Sequence, residues 1–518
     1  MSFEVEIISH LPVELLLCVS AYLDLEDLMR ARSVSRHWRR AFSNPDFCDG
    51  IARWYFRPTW ENIHGGTDPD ELNDKKQAFV DLLPRVASKR IRRLRGKYSS
   101  ISADSYAIPN YTTSFRNTNR QYCNGRVAYN KDPESILVKN LLTNLAIVIT
   151  EENRIKLEHW LLSDQFVIAW TVNPITLLTW RIGNPLDGLA SSKIRLPSGI
   201  RHISACHDQV GIITAANEVM VWKIGGALRS LDISKVVDSL KGSKINMLAL
   251  KFHPGNQGHI FVIFACVTEE PTDNEMSMGK IVIQDFFERT PGVCYQFDYR
   301  GSPRCNQTYP KIIDLEDGAI GCVFTGIVSD SSCSGFEQVQ LLTVPPCGHE
   351  KPFEGKPKTY TTQVVVKFDI YTRKFSSSCH HHPNVVNQVW CNQAGTGIDF
   401  CWRDQVVLLV QDKSWEPFRG IDPPPMLAIT IDCCTNAPFV PIARPFPVSQ
   451  DYWHLADAIG QANTIRSWGS PEFNYIIRGD DDFLVLFGID GYAVWCFDDD
   501  VQLPPLRGQA VSSGTEEI

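Results

Sequence analysis

Seven short strands of one type recur along the chain, and no other feature restricts its fold so tightly. They are Ser135–Lys139, Leu177–Ile182, Val219–Ile224, Lys280–Ile283, Val364–Phe368, Leu427–Ile431 and Tyr492–Phe497. Several copies carry an aromatic residue toward the end: Trp180, Trp222 and Trp495, with Phe368 in the fifth. Roughly 40 to 85 residues separate neighbouring copies. Between them, short apolar runs alternate with Gly, Pro, Asn and Asp turns, the pattern of an all-β domain. Repeats on this scale cannot bury their faces alone, so they stack or close into a ring.

The stretch from Arg201-His202-Ile203 through His207–Thr214 to Val221-Trp222-Lys223 resembles a degenerate WD-repeat blade. The Gly-His and Trp-Asp pairs of that family are mostly missing. The resemblance implies a β-propeller of about seven four-stranded blades. Six or eight blades, or a pair of β-sandwiches, are the alternatives. Inserts such as 345–357 and Pro423-Pro424-Pro425 would then crowd onto a rim, where binding usually resides.

Composition narrows the function classes. Of 518 residues, 43% are hydrophobic and 21% charged, which excludes a disordered or fibrous chain. The net charge of −8 speaks against a general nucleic-acid binder. Apolar stretches at Leu141–Thr150 and Ile260–Val267 fall far short of the ~20 residues of a spanning helix. Glu4 and Glu6 stand where a signal peptide has its positive flank. Without export, the N-x-T triplets at Asn110 and Asn306 carry no glycosylation meaning. The 16 cysteines are scattered without a C-x-x-C pair, so reduced, mostly structural thiols in a cytoplasmic or nuclear protein are expected.

Pattern and charge change near residue 100. The first hundred residues hold 16 basic and 14 acidic side chains, a balance of +2 that leaves −10 for the remainder. Pro12 suits a first helical position, and Leu15, Leu16, Val19 and Leu23 follow at helical spacing. Asp24 is a candidate N-cap for a second helix through Leu25, Leu28 and Ala31. Val34, Trp38 and Phe42 mark a third helix, stopped at Asn44-Pro45. Three helices this short bury too little surface to stand alone, and their apolar content exceeds what one small core needs. The excess must meet the rest of the chain or another protein.

The runs Leu11-Pro12-Val13-Glu14-Leu15-Leu16, Tyr22–Leu28 and Val34-Ser35-Arg36-His37-Trp38-Arg39-Arg40 together resemble an F-box, with Phe47 at the next apolar anchor. An ordinary three-helix packing unit is the alternative. The resemblance covers about residues 9–48. With Tyr122–Ala128 ahead of the first repeated strand, the whole chain looks like a fungal-type F-box protein with a divergent propeller. That resemblance implies the substrate receptor of an SCF-type cullin–RING ubiquitin ligase. Leu11, Pro12, Leu15, Leu16, Leu23, Leu28, Val34 and Trp38 would contact a Skp-type adaptor, and through it a cullin, with His10, Arg36 and Arg39 on the rim. The protein substrate is unknown, no cofactor or membrane is involved, and nucleic acid is not expected. An F-box scaffold acting outside the ligase is the second reading, and a propeller enzyme with a helical appendage the third.

The expected organisation is α+β and multidomain: F-box over 1–50, helical spacer with a basic segment over 51–100, β-propeller over 101–503 and flexible tail over 504–518. The basic segment is Arg85, Lys89, Arg90, Arg92, Arg93, Arg95 and Lys97. It reads as a solvated face, with nuclear import or phosphate binding as alternatives.

The search for chemistry finds no nucleotide loop, H-E-x-x-H pair or nucleophile elbow. No catalytic residue and no metal ligand are assigned. Cys379-His380-His381-His382 gathers four metal-ligand types but reads as an exposed loop, since a strand would split them between two faces. Asp480-Asp481-Asp482 and Asp498-Asp499-Asp500 read as solvated turns rather than a cation site. Trp390, Trp402, Trp415, Trp453 and Trp468 are assigned to the core by default, with rim hot spots as the other reading.

Overall fold

A computed structural model describes residues 11–64, 69–94, 98–105, 120–151, 153–157, 159–171, 175–182, 191–253, 256–268, 277–288, 290–301, 311–315, 319–328, 360–382, 400–402, 405–410, 426–432, 476–487 and 491–503. His10, Arg95, Lys97, the 345–357 insert, Pro423-Pro424-Pro425, Trp390, Trp415, Trp453, Trp468 and the 504–518 tail lie outside them. The chain divides into two compact units, one built on residues 1–98 and the other on Ser99 onward.

The first unit is helical: α1 (Val13–Ser20), α2 (Leu25–Val34), α3 (Arg36–Ala41), α4 (Pro45–Tyr55), α5 (Arg57–His64) and α6 (Pro69–Leu94). Three starts are capped by side chains. Asp24 accepts from Asp27 N at 2.7 Å, Ser35 from Trp38 N at 3.1 Å, and Asn44 from Asp46 N at 2.9 Å. Such caps satisfy amides the helix cannot, at about 1 kcal/mol each. The helices expected as a spacer are not a separate layer. Ile51, Ala52, Phe56, Phe79, Leu83 and Ala87 share one core with Leu16, Leu25, Leu28 and Phe42. Gly50 of α4 lies so close to α1 that a Cβ there would meet Leu17 Cδ2 at 2.5 Å.

The second unit opens with β1 (Ser100–Ser105). Blade one follows as β2 (Arg120–Cys123), β3 (Arg126–Asp132), β4 (Ser135–Asn140) and β5 (Ala146–Thr150). Blade two is β6 (His159–Leu162), β7 (Phe166–Trp170), β8 (Thr176–Arg181) and β9 (Ser191–Arg195). Blade three is β10 (Ile200–Cys206), β11 (Gln209–Thr214), β12 (Val219–Lys223) and β13 (Leu228–Leu231), followed by the short α7 (Ser234–Ser239). Blade four is β14 (Ser243–His253), β15 (Asn256–Thr268), β16 (Ser277–Phe287) and β17 (Thr290–Gly301). Blade five is β18 (Lys311–Leu315), β19 (Ala319–Val328), β20 (Tyr360–Asp369) and β21 (Lys374–His382). Blade six has three described strands, β22 (Phe400–Trp402), β23 (Gln405–Val410) and β24 (Met426–Asp432). Blade seven takes β25 (Ile476–Gly479), β26 (Phe483–Phe487) and β27 (Gly491–Cys496), and β1 is its fourth strand.

Every recurring strand of the sequence is thus the third strand of its blade. First strands neighbour one another around the series: β2 lies against β25 and β6, β10 against β6 and β14, and β22 against β18 and β25. Blades four and five join through Phe261, Ile263, Val366 and Phe368. The series closes, and its seven sheets make a propeller-like ring.

Closure is direct, because β1 pairs antiparallel with β27 from Ser100↔Cys496 to Ser105↔Gly491. Ser99 adds a hydroxyl bond to Cys496 O at 2.9 Å, and Lys139 Nζ in blade one reaches Asp104 in β1 at 2.8 Å.

The cores lie between blades. Val167 and Ala169 of β7 face blade one, whereas Phe166 and Ile168 face blade three. Ile260, Val262 and Phe264 of β15 face blade three, and Phe261 and Ile263 face blade five. A strand's two-residue period therefore serves two neighbours, which is why these strands read as unbroken apolar runs.

The Cys379–His382 run is part of strand β21 and not a loop, pairing from Val364↔Cys379 to Thr361↔His382. The hairpin at 370–373 supplies the register that a lone apolar pattern does not reveal.

Candidate docking surface

Helix α1 is apolar on two faces. Val13, Leu16 and Leu17 pack into the helical core, and Ser20 is buried beside them. Leu15 and Val19, each 51% exposed, and Tyr22, 92% exposed just past the helix, follow the same i, i+4, i+7 line on the other side. Cys18 lies exposed among them, and Val34 at the end of α2 is also exposed. One apolar face of α1 is thus covered by the helical core, and the other is exposed, with the charged Glu14 between them.

The eight residues singled out from sequence separate on this basis. Leu16 and Leu28 are buried and fill the core. Leu23 and Trp38 are half-buried against it, Trp38 stacking on Phe42 at 5.8 Å and Tyr55 Oη donating to Leu23 O at 3.0 Å. Leu11 is half-buried, while Pro12, Leu15 and Val34 are exposed. Val19 and Tyr22 belong with the exposed group. Tyr22 falls just beyond α1, and its i+7 spacing from Leu15 was the signal that could have found it.

The basic segment is not uniformly solvated. Arg90 and Arg93 are buried. Arg90 donates to Tyr55 O, and its guanidinium lies 5.7 Å from the rings of Tyr55 and Phe56.

On the propeller, the turns between first and second strands share one rim and bond to each other. Tyr122 Oη donates to Asp480 of blade seven, and Gly125 N donates to that hydroxyl at 3.0 Å. Arg126 donates to Asp164 O at 2.7 Å. His207 N donates to the Asp164 carboxylate at 3.1 Å, and its Nδ1 lies 2.8 Å from the same group. Blades seven, one, two and three are thereby linked.

Burial pushes the Cys123 thiol up to about 12, with Asp164 and Asp480 adding to the rise. It pushes Cys206 up to about 11. Beside the His207–Asp164 pair, then, the thiols stay protonated and are poor nucleophiles.

The aspartate triplets act in turns. Asp480 accepts from Asp482 N at 2.9 Å and Phe483 N at 3.0 Å, and Asp498 from Asp500 N at 3.0 Å. Burial raises the Asp480 carboxyl to about 6. Among the described residues, no group of three or more His, Cys, Asp or Glu can hold a metal ion. No helix among them is long and apolar enough to cross a membrane.

The propeller has distant likenesses among solved structures. One is the N-terminal domain of Nup159, at 8% identity and TM-score 0.26, over 73% of this chain and 74% of that one. Another is the WD40 domain of SCAP from fission yeast, at 10% identity and TM-score 0.25, over 72% and 82%. A third is the computationally designed Ika8 protein, at 14% identity and TM-score 0.32, over 73% and 95%. At scores this low the fold rests on the chain's own sheet order and closure. No curated protein matches in sequence. The helical segment is more specific: residues 8–47 match the F-box-like family model, so this chain carries an F-box-like domain ahead of a propeller-like one.

Proposed function

We propose that the chain is the substrate-recognition subunit of an SCF-type cullin–RING ubiquitin ligase. It docks on a Skp-type adaptor through its F-box-like helices and presents a protein target held by the propeller. The observation that carries this reading is the exposed line Leu15, Val19 and Tyr22, inside and beside an F-box-like segment whose opposite face is already buried. Burying such side chains against a partner contributes about 1.5–3 kcal/mol each. The role is positional: the receptor makes no bond and raises the effective concentration of a target lysine near the conjugating enzyme. Such a receptor works in the cytoplasm or nucleus.

The test is capture of the adaptor by the full chain. Leu15→Asp with Val19→Asp abolishes capture while leaving the thermal melt unchanged; intact capture overturns the reading. Leu16 is unsuitable for this purpose, because a charge there enters the core. Cullin recruitment is read in the same pull-down, and adaptor capture without cullin favours a scaffold outside the ligase.

A further inference from the structure

Strand β5 is the outermost strand of blade one, and its free edge differs from the others. No hydrogen bond reaches that edge from any described residue. Its sequence, Ala146-Ile147-Val148-Ile149-Thr150, has no charge, proline or glycine. Val148 is 41% exposed, and Leu145 just before it 61%. The outermost strands of the other four-stranded sheets carry charge: Asp104 in β1, Lys193 in β9, Arg229 in β13, Asp298 in β17 and Lys374 in β21. Charges on an edge discourage a second chain from adding to the sheet, and β5 lacks that protection. On the neighbouring strand, Lys139 opposite Ala146 is held by Asp104 at 2.8 Å.

We propose that β5 pairs edge to edge with β5 of a second copy of this chain, making a two-fold dimer. The register selects this occupant. Antiparallel pairing centred on Val148 sets Val148 opposite Val148, Ile147 opposite Ile149 and Ala146 opposite Thr150, so each face meets its own kind. The same operation on β9 would set Lys193 against Lys193.

Backbone polarity agrees. Asn140 N donates to Leu145 O at 2.8 Å, so alternation turns Ile147 and Ile149 toward β4. Ala146, Val148 and Thr150 then aim their N–H and C=O groups outward, and centring on Val148 lets all of them pair. A two-fold contact of this kind is isologous and closes at two copies. The carboxylate of Glu151, which follows the strand, is engaged by Asn153 N at 2.6 Å, and the two copies of Glu151 lie at opposite ends of the paired segment.

Sedimentation of the full chain tests this. Wild type runs as a dimer at micromolar concentration. Val148→Lys and Val148→Glu each place like charges across the axis and weaken dimerisation at least about tenfold, and their thermal melts match wild type when both are measured at a dilution where wild type is dissociated. Mixing the two variants restores a one-to-one heterodimer. A monomeric wild type, a Val148→Lys dimer of undiminished stability, higher concentration-dependent assemblies, or a mixture that stays monomeric overturns the proposal. Adaptor capture by monomeric Val148→Lys stays at the wild-type level, so loss of the dimer and loss of the receptor reading are read separately.

Discussion

Helix α1 and strand β15 each carry apolar residues on two faces, yet the chain treats them differently. For β15 the chain supplies both neighbours: Phe261 and Ile263 face blade five, while Ile260, Val262 and Phe264 face blade three. For α1 it supplies one, and Leu15, Val19 and Tyr22 stay uncovered. The same sequence signature therefore means a filled core in one region and an exposed apolar line in the other. What separates them is whether the repeat brings a second surface to the element, which is a property of topology.

The largest expected effect breaks the comparison from the β15 side. Phe261 is fully buried, with its ring 6.1 Å from Phe368 of the next blade. Phe261→Ala loses about 3–5 kcal/mol through transfer and cavity costs. Tyr22→Ala, on a side chain that is 92% exposed, stays within about 0.5 kcal/mol of wild type. Urea unfolding measures both, and adaptor capture separates them further: Tyr22→Ala lowers capture without changing the unfolding midpoint. Equal losses of stability would place Tyr22 in a core after all.

A somewhat smaller loss is expected where polar groups join two blades. Asn130 donates to Leu157 O at 2.8 Å and accepts from Trp160 Nε1 at 2.8 Å. Asn130→Ala strands both partners in an apolar core and costs about 2 kcal/mol, by urea unfolding. Asn130→Asp keeps the acceptor for Trp160 but buries a charge opposite a carbonyl, so it does not rescue.

Much of the propeller was legible, because the third strand of each blade is rich in aliphatic residues, with Trp180, Trp222, Phe368 or Trp495 toward the end in four of the seven. Those strands meet two neighbours, and selection for apolar volume leaves a countable trace. Closure was not legible. Ser100–Ser105 reads Ser-Ile-Ser-Ala-Asp-Ser, with little strand propensity, and its partner Gly491–Cys496 lies at the far end of the chain. Pairing so remote leaves no local pattern. In the helical unit the motif located the segment but could not divide it. Leu15 and Leu16 are adjacent and identical, and only the core that Leu16 shares with Leu28 and Ile51 tells them apart. Arg90 and Arg93 likewise looked solvated until α4 lay beside α6.

The smallest effect sharpens a contrast between two polar groups in the propeller. Burial lowers the His253 imidazole from 6.5 to about 4, with His259 and Arg373 reinforcing the shift. The unfolded chain therefore takes that proton first, and stability falls as pH drops from about 6.5 toward about 4. Asp480 runs the other way. Its carboxyl rises from 3.8 to about 6, so the folded chain keeps that proton longer. Its contribution is fully present below about 3.8 and is lost as pH rises through about 6. Asp480→Asn retains an oxygen for Asp482 N and Phe483 N while removing the charge. It raises the melting temperature at pH 7 by a few degrees and leaves it unchanged at pH 4. The variant also leaves the acid limb of His253 unopposed, so its stability falls more steeply than wild type between pH 6 and about 4. Thermal melts across that range measure the slope, and an equal shift at both pH values would show that Asp480 is ionised throughout and held by its turn alone.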